Sequence, residues 1–159
     1  MKNVKLDNID KIILRELQEN GRITNVELAQ KAGISPPPCL RRTHALEEAG
    51  YIRGYHADIV PEKLDYNLTV FIQITLSHHA EKDLDNFAKL LQSWPQVRFC
   101  YMLAGDPDFL IKVVAKNWPA FQEFLTTELI SAPNVAQVKS LPTVRRMHYS
   151  AGVPIEEDL

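Results

Sequence analysis

The spacing of apolar residues changes period partway along the chain. Ile9, Ile13 and Leu17 recur every four residues, with Ile12 beside them. They draw the apolar face of a helix that Asp7 can cap and Asn20-Gly21 stops. A second short helix follows. Thr24 and Glu27 have Thr-x-x-Glu capping-box spacing, Leu28 and Ala29 supply its buried face, and Gly33 can take the left-handed conformation that ends it. A third helix begins after Ser35, with Leu40 and Leu46 expected inward and Arg41, Arg42 and His44 outward. From residue 67 the period is two. Leu68, Val70, Ile72, Ile74 and Leu76 alternate with Thr69, Phe71, Gln73 and Thr75, as in a half-buried strand. Leu84, Phe87, Leu90 and Leu91 return to helical spacing over residues 80–93. Strands are expected at 96–103 and 109–115, joined by a turn at Gly105-Asp106-Pro107-Asp108. Phe121, Phe124, Leu125 and Leu129 mark a helix over 118–130, and a last strand runs over 135–144.

This order predicts an α+β protein. An N-terminal helix-turn-helix domain, winged-helix-like, is followed by a ferredoxin-like βαββαβ domain. Residues 51–59 read as a short strand region broken at Gly54. Pro61 bars regular pairing in the stretch that follows. The expected division is a helical domain over 1–59, a connector over 60–66 and a second domain over 67–159.

The stretch Gly33-Ile34-Ser35-Pro36-Pro37-Pro38-Cys39-Leu40-Arg41-Arg42 carries the most chemistry. Ser35 suits an N-cap, whose hydroxyl accepts a first-turn N–H. Proline costs little in that turn, because those N–H groups have no intrahelical partner. A short helix, a tight turn and a basic helix read as a DNA-binding helix-turn-helix, or else as a generic helical bundle. On the DNA reading, Ser35, Pro37, Arg41, Arg42 and His44 face double-stranded DNA. Pro37, Arg41 and His44 stand at i, i+4 and i+7 on one face. Arg41 is expected to read a base edge, a guanine by its chemistry. Arg42 is expected to hold either phosphate or the interface between helices.

Composition narrows the reading. The 159 residues suffice for one medium domain or two small ones. No apolar run approaches the roughly 20 residues of a membrane-spanning helix, and nothing resembles a secretory signal, so a cytoplasmic protein is expected. Cys39 and Cys100 lie far apart without CxxC spacing and read as free thiols. Net charge is −2 overall, but residues 1–60 hold nine Lys and Arg against eight Asp and Glu, leaving +1. Residues 61–159 hold nine against twelve, leaving −3. A +1 module neutralises few phosphates as a monomer, so DNA binding would call for a dimer or larger assembly.

The order of motifs resembles the Lrp/AsnC family of feast/famine regulators. The resemblance runs through Leu6-Asp7-x-x-Asp10-x-x-Ile13-Leu14-x-x-Leu17 and Gly21-Arg22-Ile23-Thr24-x-x-Glu27-Leu28-Ala29. It continues through Gly33-Ile34-Ser35, Arg42, Leu46-Glu47-x-x-Gly50-Tyr51-Ile52, Pro61-x-x-Leu64-Asp65-Tyr66 and Gly105-Asp106-x-Asp108. Ser35-Pro36-x-Pro38-Cys39-Leu40 is most similar to the leucine-responsive branch. Thr43 departs from the pattern, standing where many members carry Val or Ile, and is expected to soften the packing of the third helix. The resemblance implies a homodimer formed through the C-terminal domains, closing into an octamer. It also implies a small-molecule effector, an amino acid, bound between dimers, which shifts assembly or DNA affinity.

An amino acid presents a carboxylate that wants N–H donors and an ammonium that wants acceptors. The loop Ala104-Gly105-Asp106-Pro107-Asp108 can offer both: Gly105 allows close backbone approach, and Asp106 and Asp108 are acceptors. The same loop also reads as a tight turn whose aspartates cap local N–H groups. The resemblance adds Trp118, Leu141, Pro142 and Thr143 to the effector site. The apolar surroundings Met102, Leu103, Ala104 and Leu141 point to an aliphatic side chain such as that of leucine or methionine.

Other candidates read as structural. His78-His79 would point to opposite faces of a strand, which disfavours a metal pair. His56 touches DNA or nothing, Cys39 is a packing thiol or an oxidant sensor, and Trp94-Pro95 ends a helix. No catalytic residue, metal or cofactor is expected. Two alternatives stay open: an enzyme similar to the sirohaem decarboxylases, and a DNA-compacting protein without an effector. The former group carries histidine motifs where this chain has Arg98-Phe99-Cys100-Tyr101-Met102.

Overall fold

A computed structural model describes residues Leu6–Glu156. Two compact units emerge: one takes in the chain up to Asp58 together with the stretch from His148, the other spans Ile59–Met147. The expected second domain ran over 67–159, whereas the stretch from His148 packs with the helical unit.

The helical unit holds α1 (Asn8–Glu19), α2 (Asn25–Lys31) and α3 (Pro36–Glu48). Asp7 caps α1 and Thr24 caps α2, each with a reciprocal capping box that satisfies two free donors. Ile13, Leu28, Ala29, Ala32, Cys39 and Leu46 form its core. The interior positions of α3 are Cys39, Thr43 and Leu46, at i, i+4 and i+7. Leu40, expected inward, is 45 % exposed. It stands about 100° around the helix from Cys39 and cannot share its face. Thr43 is buried but satisfied, its hydroxyl donating to the Cys39 carbonyl at 3.1 Å.

Residues 51–59, expected as a short strand region, form no strand among the described residues. Tyr55 fixes this segment to α3 by donating its hydroxyl to Glu47 Oε1 at 2.8 Å. Burial, and then the Glu47 carboxylate, push that phenol up to about 12. The stretch from His148 lies along α1. The Gln18 side-chain amide donates to the Val153 carbonyl at 2.8 Å and its oxygen accepts from the Val153 N–H at 3.0 Å. One side chain thus serves as the stretch's strand partner. Val153 and Ile155 line a groove of about 760 Å³ with Leu6, Leu14 and Leu17.

The second unit contains β1 (Leu68–Leu76), α4 (Glu81–Ser93), β2 (Val97–Met102), β3 (Phe109–Ala115), α5 (Trp118–Phe124) and β4 (Val135–Pro142). The sheet order is β2-β3-β1-β4, antiparallel throughout, as in the ferredoxin-like arrangement. Val70, Ile72, Ile74 and Leu76 on β1 and Phe109, Ile111, Val113 and Ala115 on β3 are all buried, in one core with Phe87, Leu91 and Phe121 of the helices. The alternate residues make the other face. The expected helix over 118–130 changes pitch: α5 ends at Phe124 and a π turn occupies Leu125–Leu129. Thr126 and Thr127 donate their hydroxyls to the carbonyls of Gln122 and Glu123, competing with the regular ladder. Trp94 caps the end of α4 and packs edge-on against Phe124, with centroids 5.4 Å apart.

Candidate DNA-reading face and effector loop

The first turn of α3 is set by what its residues lack. Ser35 occupies the N-cap position but makes no side-chain cap bond. Pro36, Pro37 and Pro38 fill the next three positions, so the N–H groups that a capping serine would accept do not exist. For the same reason this helix end cannot hold a phosphate through backbone N–H groups, as many helix N-termini do. The Asn25 amide instead ties α2 to the turn, donating to the Pro36 carbonyl at 2.9 Å.

The two arginines of α3 part company. Arg42 Nη1 donates to Asp7 Oδ2 and Asp10 Oδ1, each at 2.8 Å, and so joins α3 to the start of α1. Of the two roles expected for Arg42, the geometry makes the helix–helix one. The Asp10 N–H, and after it Arg42, hold the Asp7 carboxyl below its ordinary value. Arg41 and His44 are exposed. With Pro37, Leu40, Ala45 and Glu48 they surround a shallow concavity of about 430 Å³ on the outward face of α3.

In the second unit, Gly105 has φ +128°, with no atom within 4 Å of where a Cβ would stand. Conformation alone therefore favours glycine here. Asp108 is turned into the sheet end. Its Oδ2 accepts from the Leu76 N–H at 2.7 Å and lies 3.1 Å from His79 Nε2. Asp106 is exposed, and its Oδ1 accepts from the Thr75 hydroxyl at 3.0 Å. Ala104 is exposed beside them. His78 turns away to Asn134, with Nδ1 2.9 Å from Oδ1. No cluster of metal-ligating side chains occurs among the described residues.

The remaining effector candidates do not join this loop. Thr143 donates both its N–H and its hydroxyl to the Thr69 carbonyl, at 2.9 and 3.0 Å, and Leu141 and Pro142 pair with Phe71 and Val70. Trp118, 54 % exposed, follows the end of β3 that pairs with Leu68. These four residues gather at the start of β1, and Gly105, Asp106 and Asp108 at its end. Six steps along the strand, from Thr69 to Thr75, separate the two groups by about 20 Å.

The outward sheet face carries an aromatic row that periodicity alone does not single out. Phe71 and Phe99 have centroids 5.7 Å apart, and Phe99 and Tyr101 5.2 Å. Tyr101 is 61 % exposed. Both cysteines are free, and burial pushes both thiols up, which disfavours the reactive thiolate.

Known proteins align with both units. Residues 6–53 match the winged helix-turn-helix DNA-binding family, and residues 69–153 match the Lrp/AsnC ligand binding domain. The chain is 48 % identical over 152 residues to the leucine-responsive regulatory protein of Rhizobium meliloti (strain 1021), covering 96 % of this chain and 97 % of the relative. It is 37 % identical over 145 residues to the protein of the same name from Escherichia coli (strain K12), covering 91 % and 88 %. Among solved structures, a transcriptional regulator of Neisseria meningitidis in complex with L-Met superposes with a TM-score of 0.89. Its identity is 36 %, and 94 % of this chain and 97 % of that one are covered.

Proposed function

The chain belongs to the Lrp/AsnC family of DNA-binding, effector-responsive transcriptional regulators, and on that premise we propose how its residues divide the task. Arg41, Pro37, His44 and Ser35 meet duplex DNA, while Arg42 keeps α3 in position to do so. The observation that carries this reading is the separation of the arginines: one is held by two aspartates inside the unit, and the other is presented outward with His44.

The effector is an amino acid with an aliphatic or thioether side chain, leucine or methionine. The relatives' names and the L-Met complex of the meningococcal regulator support this choice. Asp106 offers the exposed carboxylate for its ammonium group. Asp108 shapes the loop by closing onto the Leu76 N–H. One ligand can touch both the loop and the Trp118–Thr143 group only where the end of one copy meets the opposite end of another. Such head-to-tail contacts build rings. The outward sheet face, with Phe71, Phe99 and Tyr101, supplies the dimer contact, and dimers joined end to end give the octamer. The protein acts in the cytoplasm as a regulator and not as a catalyst. No described helix is long and apolar enough to cross a membrane.

Calorimetric titration with each of the twenty amino acids tests the effector reading. Leucine or methionine should bind the parent, and Asp106→Ala should weaken that binding without moving the melting temperature. Asp108→Ala should weaken binding and also destabilise the second unit by about 1–3 kcal/mol, because the Leu76 N–H loses its acceptor. Equal heats for every amino acid, or an Asp106→Ala variant that binds like the parent, would refute the assignment.

A further inference from the structure

We infer that Leu40 is a specificity-determining residue that reads the 5-methyl group of a thymine in the major groove. The inference rests on the reading of α3 as the DNA-facing helix. The three inward positions of α3 are filled by Cys39, Thr43 and Leu46, and Leu40, about 100° around the helix from Cys39, is left exposed on the flank that adjoins the outward face. It is the fifth residue of the helix, and recognition helices meet base edges with their N-terminal residues. Pro37 stands one turn before it, and Arg41 is its neighbour toward His44. Together these side chains ring the concavity on the outward face.

The chemistry of the ring is divided. Arg41 and His44 can exchange hydrogen bonds with base edges, whereas Pro37 and Leu40 can offer only apolar contact. Of the groups that base pairs display in the major groove, the thymine methyl takes apolar contact. The three prolines sharpen the assignment. They remove the N–H donors by which this helix end would hold a phosphate, so its contacts with DNA must come from side-chain surfaces. Glu48, at the far end of the same face, disfavours close approach of the phosphate backbone there. The favoured approach brings the Pro37–Leu40 end of α3 toward the base edges.

The test uses the full-length protein and sites that it selects from a pool of random duplexes. Each thymine of a selected site is replaced singly by deoxyuridine, which removes only the methyl group. The parent should lose about fourfold in affinity at one thymine of each half-site, the factor for one buried methyl group. Leu40→Ala should bind the thymine and uracil versions of that position equally. Arg41→Ala should keep the uracil penalty while losing discrimination at a different, guanine position. A parent indifferent to uracil at every position would overturn the inference, as would a Leu40→Ala protein that keeps the full penalty. A protein that selects no sequence would sink the DNA reading itself, and this inference with it.

Discussion

Arg42 joins two carboxylates that would otherwise face each other across the start of α1. Asp10 is buried, with a side chain 9 % exposed, and its Oδ1 accepts from Arg42. Arg42→Ala leaves that buried carboxylate without its cation. Hydrogen bonds to charged groups contribute about 1.5–3 kcal/mol, so thermal melting of the helical unit should shift downward accordingly. Arg42→Ala should also weaken binding to all DNA sequences alike, through loss of the unit and not of base reading. The pH dependence carries a definite sign. The Asp7 carboxyl is held below its ordinary value of 3.8 by the Asp10 N–H and Arg42. Its contribution to stability is therefore present above pH 3.8 and is lost as pH falls through the lower folded value. An acid titration should show this loss in the parent and a shallower one in Arg42→Ala. Identical acid limbs would mean that Arg42 does not bear on Asp7.

At the scale of elements, strong periodicity was a good guide. Alternation over 68–76 fixed both the strand and its buried face, because a one-residue slip would turn Val70, Ile72 and Ile74 to the solvent. The four-residue repeat of Ile9, Ile13 and Leu17 marked α1 equally well. Legibility failed where an effect needed a distant partner. The orientation of Leu40 depended on Cys39 and Thr43 acting as core positions, and neither residue reads as strongly apolar. Asp106 and Asp108 look equivalent in the sequence, yet one meets a hydroxyl and the other a backbone N–H and His79. The docking of the terminal stretch on α1 was invisible, since Gln18 lies 135 residues from Val153. That docking leaves no room for a side chain at Gly152. Gly152 has φ +70°, and a Cβ there would stand 1.9 Å from Gln18 Oε1. Gly152→Ala should destabilise the helical unit by roughly 1–2 kcal/mol, the cost of a left-handed non-glycine residue. It should also speed proteolysis of the stretch from His148. A variant that melts and is cleaved like the parent would show that this docking contributes nothing.

For the whole molecule, charge and geometry lead to the same requirement. Residues 1–60 carry a net charge of only +1, so the helices gain affinity for DNA chiefly by presenting several copies on one site. The two groups of effector-site candidates, about 20 Å apart along β1, likewise need a second copy to act on one ligand. Light scattering at micromolar concentration should therefore report a dimer or octamer. Phe71→Glu, which places a charge in the aromatic row of the sheet face, should reduce that mass. A parent that stays monomeric would remove the basis for both arguments.

The central claim is that amino-acid binding in one unit alters DNA binding by the other. A ligand can do this only to the extent that its affinity differs between the states it connects. The direct measurement is the affinity of the full-length protein for a selected duplex, with and without saturating leucine or methionine. Coupling of the ordinary size would change that affinity by about 5- to 150-fold. One of the two amino acids should produce a shift in this range, and Asp106→Ala should abolish it without altering affinity in the absence of ligand. The account is contradicted if DNA affinity is the same in the presence and absence of every amino acid.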